Sequence, residues 1–319
     1  MKIEDALQKI VVIIVKKSFW KSEIAKVFPN IFLSLRIYGY SQNKINTYVS
    51  FILSLIYIIC KQPNVIIFGS AHSLVPLYIK IKTYGFLKNV KFIVTNQIYF
   101  SDNNAKYIDR IIIYSKAELE IHKTKDPNKY VFMPLPVDGF EIDSYKIEEE
   151  NFIFSGGGQD RDFFSLIEAV KSLKRELHIV TFPNNAKEIE SIKNDNIKVS
   201  TTMPLSKFLS IIAKSKIVVV PLYKGYSSRG HTTIAQGLTL GKPVITCKDS
   251  SCDDFIIDGY NGLLVNPGNI DEYKVAIERL FNDKVLYDKL SKNAFLSSLQ
   301  YKYESFRDEL INLINDIKN

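Results

Sequence analysis

Short apolar runs alternate with amphipathic segments along the chain from about residue 62 onward. Helices are predicted where apolar positions recur at helical spacing, as over residues 163–173, 232–240 and 270–281. This alternation is typical of parallel sheets joined by crossover helices, so the sequence predicts an α/β fold. The runs that predict strands are residues 64–68, 91–95, 110–114, 151–154, 178–181, 216–220, 243–246 and 262–265.

The first 60 residues have a less regular pattern. The apolar run Ile10–Val15 fits either a strand or one face of a helix. The charge-free stretch Ile45–Cys60 contains polar residues and is shorter than the ~20 apolar residues that a membrane span needs, which predicts a core or interfacial helix. No small-residue cleavage site follows the early apolar run, so a secretory signal is not expected.

Composition and cysteine content indicate a globular, cytosolic protein. Apolar residues make up 46% and charged residues 24% of the 319-residue chain, which is typical of globular proteins and is long enough for two domains. The three cysteines, Cys60, Cys247 and Cys252, form no CxxC motif. We interpret them as reduced thiols.

Positive charge is concentrated in the first part of the chain. Residues 1–138 contain 19 lysines and arginines against 9 acidic residues, or +10, whereas the remainder contains 23 against 25, or −2. This imbalance indicates either an anionic partner, such as a membrane surface or a phosphorylated substrate, or a lysine-rich surface that serves only solvation. Nucleic acid is the least favoured partner, because aromatic residues are not interleaved with the basic ones as they often are in nucleic-acid binders.

A glycine-rich junction between a predicted strand and a predicted helix is the first candidate phosphate site. In FSGGGQDRD, residues 154–162, the glycines Gly156–Gly158 would let the backbone approach a diphosphate, and the following helix would offer its unpaired N–H groups. Arg161 would neutralise the same phosphates. A tight turn without a ligand is the alternative interpretation. Asp160 and Asp162 resemble an acidic metal-binding motif, but at a helix start their favoured role is capping.

A second candidate site is the helix start within PLYKGYSSRGHTTIAQGLTLGKPVI, residues 221–245. His231, Thr232 and Thr233 place backbone N–H groups and hydroxyls at that start, which suits phosphate. Gln236 lies one turn further along and would bind hydroxyl groups. No group of residues has metal-ligand spacing, so no metal ion is predicted.

Five segments together resemble retaining GT-B glycosyltransferases of the group 1, or family 4-like, type, which use nucleotide sugars. QGLTLGKPV (236–244), DDFIIDGYNGLLVNPGN (253–269) and FSGGGQDRDFFSLIEAV (154–170) are similar to parts of the C-terminal domain of these enzymes. IDRIIIYSKAE (108–118) and VFMPLPVDGF (131–140) are similar to the segments that close their first domain. The resemblance implies a GT-B fold, in which two Rossmann-like domains face each other across a cleft, here with a shortened N-terminal domain.

Domain boundaries follow from this resemblance and from the pattern of strands, which restarts near residues 139–150. We expect an N-terminal, acceptor-binding domain over residues 1–140. A C-terminal, nucleotide-sugar-binding domain is expected over residues 141–298. The last segment, residues 299–319, is expected to form a helix that packs back on the N-terminal domain.

The resemblance also implies which residues bind the donor and carry the reaction. Arg161 is similar to the family's diphosphate-binding lysine, and Met203 lies where the family flanks the nucleotide base. His72 and Gln97 follow predicted strands of the first domain, where strand ends line the ligand crevice. The predicted catalytic residues are Arg161, His72 and Gln97. The predicted donor-binding residues are Gly156, Gly157, Gly158, Met203, Ser228, Gly230, His231, Thr232, Thr233 and Gln236.

Three positions depart from the family pattern. The arginine usual beside the glycine loop is absent, and two glutamates eight positions apart are replaced by Ser228 and Gln236. Gln236 can still bond a hydroxyl, whereas Ser228 supplies no carboxylate to face the donor sugar. This leaves open a non-catalytic subunit that binds a nucleotide sugar or supports an active partner.

The sequence therefore predicts a hexosyltransferase that moves a sugar from a UDP- or GDP-sugar to a glycan or lipid-linked acceptor, with retention and without a metal or other cofactor. We expect a role in cell-surface polysaccharide or glycolipid synthesis. A nucleotide-sugar epimerase is an alternative within the same fold. The expected location is the cytoplasm, either free or peripheral on the inner face of an anionic membrane. Oligomeric state is not indicated.

Overall fold

The chain divides into two compact units. The first comprises residues 1–114, 119–133 and 303–319, and the second comprises residues 115–118 and 134–302. The computed structural model describes residues 10–14, 32–34, 44–69, 75–95, 106–123, 126, 128–137, 148–225, 229–248, 252 and 254–318.

A six-stranded parallel sheet forms the centre of the first unit, with the strand order β2-β1-β3-β4-β5-β6. Strands β3, β4 and β5 are buried almost throughout, as expected for a sheet that helices cover on both faces. The strands are β1 (Ile10–Ile14), β2 (Phe32–Ser34), β3 (Val65–Gly69), β4 (Lys91–Thr95), β5 (Arg110–Ile113) and β6 (Tyr130–Phe132).

The second unit contains another six-stranded parallel sheet, in the order β12-β11-β10-β7-β8-β9. Numbered from its first strand, this is the order 6-5-4-1-2-3 of a doubly wound dinucleotide-binding fold. The strands are β7 (Ile153–Gly156), β8 (Leu177–Val180), β9 (Ile197–Ser200), β10 (Ile217–Val220), β11 (Val244–Cys247) and β12 (Gly262–Val265).

Helices connect the strands of both sheets, and side chains cap the starts of three helices in the second unit. In the second unit, Asp162, Asn269 and Asp283 each accept a hydrogen bond from the backbone N–H three residues further along, which fixes three helix starts. The helices are α1 (Lys44–Lys61), α2 (Val75–Thr83), α3 (Lys116–Lys123), α4 (Phe163–Leu173), α5 (Pro183–Glu190), α6 (Leu205–Lys214), α7 (His231–Thr239), α8 (Ile270–Asn282), α9 (Lys284–Ser298) and α10 (Tyr303–Lys318).

The predicted α/β fold with parallel sheets is confirmed. Residues 10–14 of the early apolar run form a strand and not a helix, because they pair with β3 from Ile10 opposite Val65 to Ile14 opposite Gly69. The stretch at residues 45–60 lies within helix α1, which buries Ile58 but leaves several large apolar side chains exposed. In the parts of the chain that the structure describes, no helix is both long and apolar enough to cross a membrane.

Candidate functional site

The two loops that the sequence singled out leave neighbouring strands of the second sheet. Strands β7 and β10 lie side by side, with Ile217 opposite Ile153 and Val218 opposite Phe154. From β7 the sheet continues to β8 and β9, whereas from β10 it continues to β11 and β12. The connections therefore depart in opposite directions at this point, and ligands of doubly wound sheets bind in the crevice that results.

The loop after β7 requires glycine at two positions. Gly157 has a φ of +95°, and its N–H donates to the carbonyl of Val180 at the end of β8 (3.0 Å). At Gly158, a Cβ would lie only 2.3 Å from Cδ2 of Phe182. The loop backbone is thus held against β8 and a phenylalanine ring, with no room for side chains at these two positions.

Arg161 folds back onto the glycine loop. Its Nε donates to the carbonyl of Gly156 (3.1 Å), and its Nη1 donates to the carbonyl of Gln159 (2.8 Å). Burial lowers the pKa of the Arg161 guanidinium to about 10, and the neighbouring Cys252 and Asp160 oppose this shift. The group is still cationic at neutral pH, and its position against the loop is fixed by two carbonyl oxygens.

Asp162 caps helix α4, as the sequence predicted. One carboxylate oxygen accepts from the N–H of Ser165 (3.1 Å), and the other accepts from the Ser165 hydroxyl (2.7 Å). The expectation that this helix offers unpaired N–H groups to a phosphate is therefore wrong for the N–H of Ser165. A carboxylate already occupies the place that an anion would take at this helix start.

Helix α7 begins differently, because its N-cap is Gly230, which has a φ of +81°. Gly230 has no side chain with which to cap the first turn of α7, so an anion can take the capping role there. The His231 ring is buried against Phe255, with ring centroids 4.6 Å apart. His231 would therefore contribute to a phosphate site through its backbone and not through its imidazole.

A cavity of about 290 Å³ opens between the glycine loop and the start of α7. Large apolar side chains line part of it, and threonine and glutamine side chains line the rest, a combination typical of small-molecule sites. Five predicted donor-binding residues thus come together in one cavity. They are Gly157, Met203, Thr232, Thr233 and Gln236, and the rest of the lining is Val180, Thr181, Phe182, Thr202, Leu205 and Phe208.

A second cavity, of about 300 Å³, also adjoins the glycine loop. Gly158 and Arg161 line this cavity, whereas their neighbour Gly157 lines the first. The predicted site residues are therefore divided between two adjacent cavities, and Gly156, Gly230 and His231 line neither of them. The remaining lining residues are Asp160, Phe163, Phe164, Asn185, Glu188, Ile189, Ile192 and Tyr223.

Three predicted site residues, His72, Gln97 and Ser228, lie outside the described residues, so their roles stay predictions. Sequence reasoning missed Phe182 and Phe208, which line the first cavity. Phe182 could have been found, because it comes two residues after the carboxyl end of β8, on the edge where ligands bind. Within the described ranges, no three His, Cys, Asp or Glu residues are grouped so that they could hold a metal ion.

Comparison with known proteins agrees with this geometry. Residues 142–296 match the family model of the glycosyl transferases group 1. Anabaena Alr3699/HepE, solved in complex with UDP, superimposes with a TM-score of 0.73 at 12% identity, over 97% of this chain and 100% of that one. The fold is GT-B.

Two further relatives extend the comparison. WaaG, a glycosyltransferase involved in lipopolysaccharide biosynthesis, superimposes on this chain with a TM-score of 0.64 at 10% identity. The superposition covers 96% of this chain and 99% of WaaG. An uncharacterized glycosyltransferase of Methanocaldococcus jannaschii is 28% identical over 144 residues. That match covers 44% of this chain and only 40% of the relative. The family match covers just under half of this chain, and the structural neighbours show the fold alone.

Proposed function

We propose that this protein transfers a hexose from a nucleotide diphosphate sugar to a glycan or lipid-linked acceptor, with retention at the anomeric carbon. The observation that carries the proposal is the cavity shared by the glycine loop and the start of α7, where the N-cap is Gly230. It lies at the switch point of a doubly wound sheet, where such folds bind nucleotides. The match to the glycosyl transferases group 1 and the UDP complex of HepE support the same ligand class.

The cavity has distinct places for the parts of a nucleotide. Phe182, Met203 and Phe208 form an apolar portion that suits a flat base. Thr232 and Thr233, in the first turn of α7, suit phosphoryl oxygens. A UDP-sugar or GDP-sugar placed in this way would direct its diphosphate towards the glycine loop.

The chemical task of the chain is to stabilise the nucleotide diphosphate as it leaves the sugar. Negative charge grows on the leaving phosphate during transfer, and the N–H groups at the start of α7 are already oriented by the helix. Such a preorganised donor can lower a barrier by on the order of 3 kcal/mol. Arg161, fixed by two loop carbonyls, adds a positive charge beside the same loop. In this account the leaving group needs no metal ion or other cofactor.

The acceptor is proposed to be membrane-associated, and the protein to act in cell-surface polysaccharide or glycolipid synthesis at the inner face of the membrane. In the first unit, helix α1 exposes Ile52, Leu53, Ile56 and Ile59 by 54–62% of their surface. Apolar side chains in contact with water favour an interface, and the +10 balance of residues 1–138 favours an anionic one. The role of WaaG in lipopolysaccharide biosynthesis supports an acceptor of this class.

A non-catalytic subunit that binds a nucleotide sugar is the second candidate. The observation that favours it is Gln236, which is buried in the cavity lining at one of two positions where the family resemblance implies a glutamate. Gln236 can still bond a hydroxyl, but Ser228, at the other such position, supplies no carboxylate to face the donor sugar.

A donor-turnover assay distinguishes the two candidates. The purified chain is incubated with UDP-glucose, UDP-N-acetylglucosamine or GDP-mannose, with and without a membrane lipid extract, and the release of nucleoside diphosphate is measured. We expect release from one donor, loss of release in Arg161→Ala, and a product with the anomeric configuration of the donor by NMR. Donor binding without release in any mixture would favour the non-catalytic subunit, and inversion would contradict retention.

A further inference from the structure

Arg229 links the two loops of the candidate site through its side chain. It lies in the loop after β10, directly before Gly230, the N-cap of α7. Its Nη1 lies 2.8 Å from Oδ2 of Asp160, which belongs to the glycine loop after β7. The ion pair therefore spans the switch point of the sheet, beside the place where the diphosphate is proposed to bind.

The loops are also joined by backbone contacts. The N–H of Asp162 donates to the carbonyl of Pro221 (3.1 Å), and Arg161 forms an antiparallel bridge with Leu222. Both side chains of the ion pair are partly exposed, Arg229 by 31% and Asp160 by 39%. Partly exposed ion pairs contribute little to stability, so the pair is not needed to hold the loops together and can be exchanged at low cost.

The charges around the loop explain why such an exchange is favourable. Arg161 and Arg229 are opposed by the carboxylates of Asp160 and Asp162, and Glu188 lines the same cavity as Asp160 and Arg161. Asp162 is engaged in capping α4 and Arg161 in bonding its own loop. Arg229 is paired instead with the Asp160 carboxylate, which an incoming diphosphate can replace. Phosphate, like carboxylate, can accept two parallel hydrogen bonds from one guanidinium group.

We propose that Arg229 is a diphosphate-binding residue that Asp160 holds in place until the donor arrives. On donor binding, the Arg229 guanidinium leaves the Asp160 carboxylate and donates to phosphoryl oxygens. Arg229 thereby supplies, from the loop after β10, a second positive charge in addition to Arg161. It takes the place of the arginine that the family resemblance implies beside the glycine loop and that this sequence lacks. This inference rests on the proposed function, because it concerns the same donor site.

If the ion pair were purely structural, a change at Asp160 would have the opposite effect on nucleotide affinity. If the ion pair only tied the loops together, removing either partner would weaken nucleotide binding to a similar extent. If Arg229 binds phosphate, removing the Asp160 charge relieves both competition and repulsion. Asp160→Asn suits this comparison because Asp160 has a φ of +54°, a conformation that asparagine adopts readily.

Isothermal titration calorimetry of UDP, GDP and their nucleosides with the whole chain tests the proposal. In Arg229→Ala and Arg229→Gln, we expect the affinity for the bound diphosphate to fall about tenfold or more, with nucleoside affinity unchanged. Asp160→Asn should bind the diphosphate at least as tightly as the wild type. The double variant Asp160→Asn/Arg229→Gln should be as weak as Arg229→Gln, and the melting temperature of each variant checks its folding.

Two results would overturn the inference while leaving the proposed function intact. The first is that both Arg229 variants bind the diphosphate with an affinity within twofold of that of the wild type. The other is a loss of affinity in Asp160→Asn equal to that in Arg229→Gln, which would make the pair a tether. Failure of the wild type to bind either diphosphate would overturn the proposed function itself, and the inference with it.

Discussion

A Cβ atom at Gly157 would lie 2.6 Å from Nη2 of Arg161, much closer than two non-bonded atoms approach. Gly157 also has a φ of +95°, where a side chain is strained whatever the space around it. The glycine and the arginine are therefore dependent on each other. Only the absence of a side chain at Gly157 lets the guanidinium reach the carbonyls of Gly156 and Gln159.

Gly157→Ala is expected to displace the Arg161 guanidinium and to weaken nucleotide diphosphate binding by about tenfold or more, because a charged donor at the loop is misplaced. Gly259→Ala is the matched control. Gly259 also has a positive φ, +70°, but a Cβ there meets nothing within 4 Å. Both variants should lose about 1 kcal/mol of stability from backbone strain, and only Gly157→Ala should lose affinity in a titration with UDP or GDP. Equal affinities of the two variants would count against the role of Arg161.

Lys242 belongs to the Gly-Lys-Pro segment of the family-like sequence, and the structure gives it a structural partner. Its Nζ lies 2.8 Å from Oε2 of Glu149, and its side chain is only 8% exposed. Burial lowers the pKa of Lys242, whereas the Glu149 carboxylate opposes that shift. The Glu149 carboxylate is thus the counter-ion of a largely buried ammonium.

Glu149→Gln should destabilise the protein more than Lys242→Met does, by about 2 kcal/mol against about 1 kcal/mol or less. The first change leaves a buried charge without its counter-ion, and the second replaces the charge with an apolar group of similar length. The double variant should resemble Lys242→Met. Urea unfolding followed by circular dichroism measures the difference, and a larger loss in Lys242→Met than in Glu149→Gln would contradict the argument.

Glu278 gives a pH-dependent test. Arg175 donates to both of its carboxylate oxygens (3.0 and 3.4 Å), and these hydrogen bonds lower the pKa of Glu278. Because its folded pKa lies below its unfolded value, the pair stabilises the fold at neutral pH, and this contribution is lost as pH falls through the folded pKa. Glu278→Gln should thus be less stable than the wild type at pH 7, by at most about 1 kcal/mol because the pair is partly exposed. The melting temperatures of the two proteins should converge in acid. A difference in melting temperature that stays constant with pH would show that the charge of Glu278 contributes nothing to stability.

Helix α1 allows the proposed membrane contact to be separated from folding. Ile52, Ile56 and Ile59 are more than half exposed, whereas Ile58 on the same helix is 1% exposed. The triple change of the exposed residues to serine should leave the melting temperature nearly unchanged and should reduce co-sedimentation with phosphatidylglycerol vesicles at low salt. Ile58→Ser should instead lower the melting temperature. Undiminished sedimentation of the triple variant would exclude this face of α1 as the membrane contact.

The strands and helices of the second unit could be predicted well because their signals are local. The β-branched run at β10 and the capping residue Asp162 each determine their element within a few positions of sequence. The apolar run at residues 10–15 could not be assigned, since a short run fits a strand and a buried helix equally well. Only the pairing of residues 10–14 with β3, more than 50 residues away, makes them a strand.

The candidate site could be predicted only in part, and the reason is again the range of the interactions. Gly157 and Gly230 could be identified because a strand, a glycine and a helix follow one another in sequence. The direction of the Arg161 side chain could not, because it depends on which carbonyls the folded loop presents. The ion pair between Arg229 and Asp160 joins residues 69 positions apart, and no local pattern indicates it.

The proposed sugar transfer depends most on two phosphoryl groups binding where the glycine loop meets the start of α7. The most direct measurement is the melting temperature of the chain with UDP, GDP or ADP, each compared with its nucleoside at equal concentration. We predict that one diphosphate raises the melting temperature by several degrees, because a ligand at about 100 times its dissociation constant adds about 2.7 kcal/mol to the free energy of unfolding. The corresponding nucleoside should raise the melting temperature far less. The rise should be largely lost in Arg161→Ala. An equal rise with nucleoside and diphosphate, or a rise that Arg161→Ala leaves unchanged, would contradict the account.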